Sequence, residues 1–387
     1  MKLVLVGIGH AGGKIVEAFY DRETQNLPEF VVDAVAFNTA RADLHSLERI
    51  PESNRYLFGQ VDAKGHGVGG DRDLAASLAA EDKHELLEAI DSIPTAHADA
   101  FLIVTSLGGG TGSGAASVLT TELQRLYSQP VYGLGVLPAE DEDEIYAVNT
   151  AQSLQRLVPE VDHLLCFDNE TWVRSGETVE DAYERINTEI ARRLSVLFSA
   201  GEVTADRPVA ESVVDASEII NTLGQNGISA VGYAESQLEE STQSTSRFGL
   251  SNLLGSDSEP VDPIQATSRI TTTIRKAARR RLSVSCELSS VERVLVVVSG
   301  PPQWLNRDGI EKGRQWIAEE TGCLEVRGGD YPLPNSEAIS VVIVFSGVSE
   351  VSRIDDIQAV AAKVQTQESA ESEEEFESFV GDEGSVE

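Results

Sequence analysis

Ser106-Leu107-Gly108-Gly109-Gly110-Thr111-Gly112-Ser113-Gly114 places five glycines within seven residues directly after the apolar run 101–105. Glycine lets the backbone approach a ligand closely, and a helix opening at Gly114 or Ala115 would aim its free N–H groups at an anion. A flexible linker is also glycine-rich. Linkers, however, join domains, whereas this run lies between a buried strand pattern and an amphipathic helix over 115–127. The stretch reads as a phosphate cradle at the end of a strand.

The same order recurs along the chain. A strand over 2–6 leads into Gly7-Ile8-Gly9-His10-Ala11-Gly12-Gly13-Lys14, a helix over 15–20 and a second strand over 31–37 that ends at Asn38. A third glycine loop, 64–71, closes on Gly69-Gly70-Asp71 before one long helix pattern over 74–90; a turn with an N-cap is the alternative reading there. The strand Val131–Leu137 runs through Pro138 into the acids Glu140 to Glu144, and a strand over 163–167 ends at Asp168-Asn169-Glu170. Each strand has its polar or glycine cluster at its carboxyl end, the ligand-binding edge of an open parallel sheet.

The longest regular pattern is the helix Val179–Ser199, with Thr178 as N-cap. Tyr183 and Asn187 share one of its faces, where a ring and a carboxamide could stack on a base and read its edge, or simply pack. Farther on, Asp215 and Glu218 project from the first turn of a helix, an arrangement that dipole stabilisation alone would also explain. A second α/β unit follows: strand 230–234, polar loop 235–263, helix 264–282, strand 291–299, helix 309–320 and strand 339–346. The basic run Arg275 to Arg281 reads as a salt-bridged helix face. From 364 onward the composition predicts a disordered acidic tail. The fold class is α/β, with a Rossmann-like parallel-sheet domain over 1–177, a core helix over 178–201, a smaller α/β domain over 202–363 and the tail over 364–387.

Charge limits the partners. With 64 acidic against 30 basic residues, a net charge of −34 and arginine carrying most of the positive charge, phosphate repulsion excludes a nucleic acid. Acids spread along the whole chain suit molar salt, where a Debye length of about 3 Å screens self-repulsion. No apolar run approaches the roughly 18 residues of a membrane span, and the N-terminus reads as a strand, so a cytoplasmic location is expected. Cys166, Cys286 and Cys323 have no metal or disulfide spacing and are expected to be buried small hydrophobes.

Gly7, Gly9 and Gly12 also spell the dinucleotide fingerprint, so an NAD-dependent oxidoreductase is one alternative. It wants an acid after the second strand, where the chain has Asn38-Thr39, and it leaves Gly108 to Gly114 unexplained.

GGGTGSG, in its strand-to-helix setting, resembles the signature loop of the tubulin and FtsZ superfamily, and the resemblance extends over roughly residues 1 to 360. MKLVLVGIGHAGGKIVEAF and VVDASEIINTL are most similar to its CetZ group. The resemblance implies a protein that binds and hydrolyses GTP and polymerises head to tail, its first domain being the GTPase. It places His10, Ala11, Gly12, Gly13, Lys14, Asn38, Gly70, Gly108, Gly109, Gly110, Thr111, Gly112, Ser113 and Gly114 around the nucleotide, chiefly its phosphates. It gives Glu142 the ribose, Asn169 and Asn187 the guanine edge, and Tyr183 a stacking role. Asp215 and Glu218 would act on the neighbouring subunit's nucleotide, with Mg²⁺ or K⁺ beside it, and 235–263 would make side-to-side contacts. His10 stands where relatives often have Gln, and Val213 where they have Asn. No hydrophobic-basic peptide closes the tail, which favours control of cell shape or motility over an FtsZ-like role in division. A nucleotide-binding regulator that does not itself assemble is the remaining reading.

Overall fold

The computed structural model describes residues 1–23, 30–200, 214–224, 226–238 and 261–382. The connector 201–213, with Val213, and most of the loop 235–263 lie outside them. In chain order the elements are β1 (Leu3–Ile8), α1 (Gly9–Glu23), β2 (Val31–Asn38), α2 (Arg41–His45), β3 (Arg55–Leu57), α3 (Arg72–Glu81), α4 (Lys83–Asp91), β4 (Ala100–Ser106), α5 (Gly110–Leu126), β5 (Val131–Leu137) and α6 (Glu144–Leu157). Then come β6 (His163–Asp168), α7 (Val179–Ser199), α8 (Ala216–Leu223), β7 (Ile228–Gln237), α9 (Pro263–Arg279), β8 (Arg293–Gly300), α10 (Arg307–Thr321), β9 (Glu325–Pro332), β10 (Ala338–Ser346) and α11 (Ser352–Asp382).

One sheet runs through both halves in the order β3-β2-β1-β4-β5-β6-β7-β10-β8-β9. The first six strands are parallel, and the order reverses direction between β1 and β4, the position where such sheets open a ligand crevice. β10 is antiparallel to both β7 and β8. The halves meet at a narrow seam, since β6 pairs with β7 only through Leu164↔Ile228 and Leu165↔Ser229. Beyond it the strands splay and Ser283 fills the wedge: its hydroxyl accepts from Val231 N (2.8 Å) and donates to the Cys166 carbonyl (2.6 Å). Apolar strand faces pack against helices on both sides, and α7 buries Ile186, Ile190, Leu194 and Leu197.

Several boundaries differ from the sequence pattern. α1 and α5 begin at Gly9 and Gly110, inside the glycine runs rather than after them. These glycines are small because helix and strand touch: a Cβ on Gly12 would lie 2.2 Å from the Val104 carbonyl oxygen, and one on Gly112 would lie 2.1 Å from Thr105 Oγ1. The single helix expected over 74–90 is two, broken at Asp82, whose carboxylate accepts from Gly59 N at 2.6 Å. Helix α9 stops at Arg279, so the basic run is not one salt-bridged face; within it Arg279 pairs with Glu320 at 3.0 Å. α11 carries helical backbone through to Asp382, where the sequence suggested disorder from 364. Charge predicted a tail, but 364–380 holds neither Gly nor Pro and is rich in helix-forming Glu, Gln and Ala. Cys166 and Cys323 are buried and Cys286 is half-buried, all as free thiols.

Candidate functional site

The carboxyl ends of β1, β2, β4, β5 and β6 open into one cavity of about 570 Å³. At one end the N-termini of α1 and α5 converge; an ideal Cβ on Gly9, whose φ is +75°, would sit 3.2 Å from Gly112 N. The first N–H groups of each helix have no intrahelical partner, and the two dipoles add positive potential at the same place. Gly109 is the N-cap of α5, and Gly109, Gly110, Thr111 and Gly112 line the cavity. Thr39 Oγ1 and Thr111 Oγ1, 2.7 Å apart, join the loop after β2 to that helix. The loop Gly65 to Gly70 forms another wall, and the Cβ position of Gly110 lies 2.8 Å from the Gly70 carbonyl carbon. This end is an anion cradle.

Polar side chains frame it. His10 Nδ1 stands 3.2 Å from Asp43 Oδ1, and the hydrogen bond from His10 holds the Asp43 carboxyl below its usual range. Asn38 is buried, donating to Asp43 at 3.1 Å and accepting from Ala40 N at 3.0 Å. Lys14 lines the cavity, but its ammonium donates to the Ser46 carbonyl (2.5 Å) and to Glu17 (3.2 Å). Ala11 completes this wall.

The opposite end is lined by Glu142, Tyr146, Asn169, Tyr183 and Asn187, with Val136 as its apolar floor. Burial pushes the Glu142 carboxyl up, countered by hydrogen bonds from the Ala139 N–H, at 2.7 Å, and from Asn169. Burial, with the nearby Glu142 charge, also raises the Tyr183 phenol. Asn169 opens the 3-10 turn Asn169–Trp172, which is capped by Asp168. Asp168 itself is pushed up to about 6 by burial, against the opposing pull of Arg353, 3.5 Å away at the start of α11.

Thirteen of the expected residues thus come together: His10, Ala11, Lys14, Asn38, Gly70, Gly109, Gly110, Thr111, Gly112, Glu142, Asn169, Tyr183 and Asn187. Gly12, Gly13, Gly108, Ser113 and Gly114 do not line the cavity. Gly12 and Gly114 abut the carbonyls of Val104 and Arg72, Gly13 packs on Leu47, Gly108 on Tyr146, and buried Ser113 donates to Gly110 O at 3.1 Å. Asp43, Tyr146 and Asn149 carry no sequence signal, because helices α2 and α6 deliver them from outside the glycine loops. Asn149 lies behind the lining and ties two of those loops together.

Asp215 and Glu218 stand elsewhere. Asp215 is exposed as the N-cap of α8 and accepts from Glu218 N at 2.9 Å. Burial and the Asp215 charge raise the Glu218 carboxyl, while Arg327 and Arg314 pull it down, and its Oε2 is buried with no hydrogen-bond partner among the described residues. Helix α8 packs on β8, three strands beyond β6 in the sheet, and contributes nothing to the cavity.

The profile of the Tubulin/FtsZ family GTPase domain matches residues 2–177, and that of the tubulin-like CetZ C-terminal domain matches 176–363. Tubulin-like proteins CetZ3 and CetZ1 of Haloferax volcanii are each 52% identical over 94% of this chain, spanning 92% and 93% of their own lengths. The solved GDP-bound monomer of CetZ1 from that organism superposes with a TM-score of 0.82 at 48% identity, over 94% of this chain and 100% of the other. Its CetZ2 protofilament, with GTPγS bound, gives 0.82 at 37% identity over 95% and 100%.

Proposed function

This chain belongs to the tubulin/FtsZ family, in its CetZ group, and from that premise we propose that it binds and hydrolyses GTP as it polymerises head to tail. The observation that carries the reading is the two-ended cavity: an amide-lined anion cradle facing a pocket of two aromatic rings, two carboxamides and one carboxylate. The amides of Gly109 to Gly112 and of His10 and Ala11 stabilise phosphate charge. Asn169 and Asn187 pair with the guanine edge, Tyr183 stacks on it, and Glu142 accepts from the ribose hydroxyls. Gly12, Gly13, Gly108, Ser113 and Gly114 set how closely the cradle approaches the strands. The domain with this cavity is the GTPase unit, α7 connects it to the assembly unit, and the chain acts in the cytoplasm.

Asp215 and Glu218 are placed to serve a neighbour. They are remote from their own cavity; capping fixes the Asp215 carboxylate, and the Glu218 Oε2 is left without a partner among the described residues. In a filament they orient and polarise the water that attacks the γ-phosphate of the adjoining molecule. Turnover then requires assembly.

The described residues hold no cluster of three or more His, Cys, Asp or Glu side chains fit for a metal. The Ser106 and Thr111 hydroxyls line the cavity beside the amides and would hold Mg²⁺ arriving on the triphosphate, since Mg²⁺ takes phosphate oxygens and water readily. When bound it neutralises charge on the transferring phosphate, and K⁺ is the second cation suited to that role.

The test is GTP turnover per subunit measured against protein concentration in molar KCl, with light scattering recorded in parallel. Turnover should rise above a critical concentration together with scattering. Turnover independent of concentration, or absence of GTP binding, overturns the reading. For the cell we propose control of shape or motility; a division arrest on gene deletion would assign the division role instead.

A further inference from the structure

The basic run that closes α9 divides in space. Arg275 and Arg279 lie over the Trp316 ring, at 5.4 and 5.0 Å, whereas Arg280 and Arg281 leave the helix end and enter a second cleft of about 760 Å³. Arg174, Arg185, Arg192 and Arg193 enter it from the other side. It lies where β6 and β7 splay, on the face of α7 opposite Tyr183 and Asn187. Six guanidinium groups meet two carboxylates, Glu189 and Glu235, on this lining, in a chain whose net charge is −34.

Packing accounts for part of the cluster. Arg193, 3% exposed, lies 4.3 Å from the centre of the Trp172 ring, and Arg192 lies 4.6 Å from that of Tyr233. Both share Glu189, and Arg185 pairs with Glu177 and donates to the Trp172 carbonyl at 2.9 Å. Packing does not account for the rest. Among the described residues Arg174, Arg280 and Arg281 have no ion-pair partner, and buried Arg192 Nε, Arg193 Nε and Trp172 Nε1 have no hydrogen-bond partner. In such an acidic chain, these three exposed, unpaired arginines and three buried unmet donors leave the described part of the cleft short of negative charge.

We propose that this cleft binds a compact multivalent phosphate anion without a base, of the polyphosphate class. The rings argue against a nucleotide: Trp172 and Tyr233 are buried, 7% and 6% exposed, with Arg193 and Arg192 over them, so neither offers a base an open face. Guanidinium forks entering from opposite walls suit tetrahedral phosphoryl oxygens, which accept from more directions than a planar carboxylate does. Multivalence allows such an anion to compete with the chloride of a salt-rich medium.

Sodium tripolyphosphate is the probe, titrated calorimetrically into the full chain in molar KCl after saturation with GDP, which keeps the nucleotide cavity filled. The preceding GDP titration reports on the nucleotide reading by itself, so the two proposals fail separately. The GDP-loaded protein should bind one tripolyphosphate, and R280Q/R281Q should bind it at least about tenfold more weakly, with GDP affinity and circular dichroism unchanged. R174Q, on the other wall, should weaken it in the same direction and decides the matter if the double variant misfolds. Loss of tripolyphosphate binding on GDP saturation, or equal affinity in the variants, overturns the proposal. So does binding of a synthetic peptide of residues 364–387 in place of tripolyphosphate.

Discussion

Asn149 donates from its side-chain nitrogen to the Gly70 carbonyl at 2.9 Å, and the same nitrogen reaches the Gly108 carbonyl, also at 2.9 Å. One buried amide on α6 thus fixes the spacing between the loop before α3 and the loop before α5, two walls of the anion cradle. Neither loop could set that distance alone, because each is glycine at the point of contact.

Replacing Asn149 with Ala should therefore leave the fold intact and loosen the cradle. One buried and one half-buried carbonyl lose their donor, a cost of about 1–3 kcal/mol, so GDP affinity should fall about tenfold, read by calorimetry beside an unchanged circular dichroism spectrum.

Glycines of the signature should divide by space rather than by motif position. Gly109→Ala meets no protein atom within 4 Å at a φ of −71°, and should fold and melt nearly as the parent does. Gly112→Ala would force a Cβ to 2.1 Å from Thr105 Oγ1 and 3.0 Å from the Ile8 carbonyl oxygen. It should express poorly or lose several degrees of Tm, and equal melts for the two variants would refute the steric account.

If, as proposed, its carboxyl serves a neighbouring molecule, Glu218→Ala should retain GTP binding, lose at least about a hundredfold in turnover and accumulate polymer. Sedimentation with GTP measures the polymer. A loss of GTP affinity equal to the loss of turnover would place Glu218 in its own subunit's site.

Acid should expose His163, which is buried between Ser229, at 2.7 Å, and Ser346. Burial lowers its pKa to about 4, whereas an unfolded histidine titrates near about 6.5. The unfolded chain binds the extra proton, so this group's contribution is present above pH 6.5 and is lost as pH falls through 4, up to about 3 kcal/mol. Asp168 has the opposite sign: its pKa of about 6 lies above the unfolded value, so its ionisation removes stability as pH rises through 6. His163→Asn should flatten the acid side of the stability curve in urea melts between pH 7 and 4, and an unchanged slope would contradict the assignment.

Arg353→Ala should release the start of α11 from the nucleotide edge. Its guanidinium donates to the Pro138 carbonyl at 2.8 Å, at the end of β5, and lies beside Asp168, at the end of β6. Without it the Asp168 pKa should rise further, and GDP affinity should become more sensitive to pH between 5 and 7; binding at these pH values checks this.

Local grammar determined much of this protein. Apolar runs ending in glycine or polar clusters located eight of the ten strands among the described residues, and their order alone brought five strand ends to one site, because a parallel α/β sheet gathers its strands' carboxyl ends at one edge; the thirteen lining residues themselves were named by the family resemblance. β3, three residues long, and β9, with its paired glycines, lacked a periodic signal and went unread. Tertiary structure alone decided why particular glycines are glycines: Gly12 and Gly114 fit against carbonyls on other elements, a reason no dihedral preference encodes. It also decided that Asn149 spans two loops and that Asp215 and Glu218 turn away from their own cavity. Lastly, it split one basic run between a tryptophan face and an arginine-lined cleft. Those outcomes depend on distances between elements far apart in the chain, and residue type and spacing carry no information about such distances until the sheet has placed them.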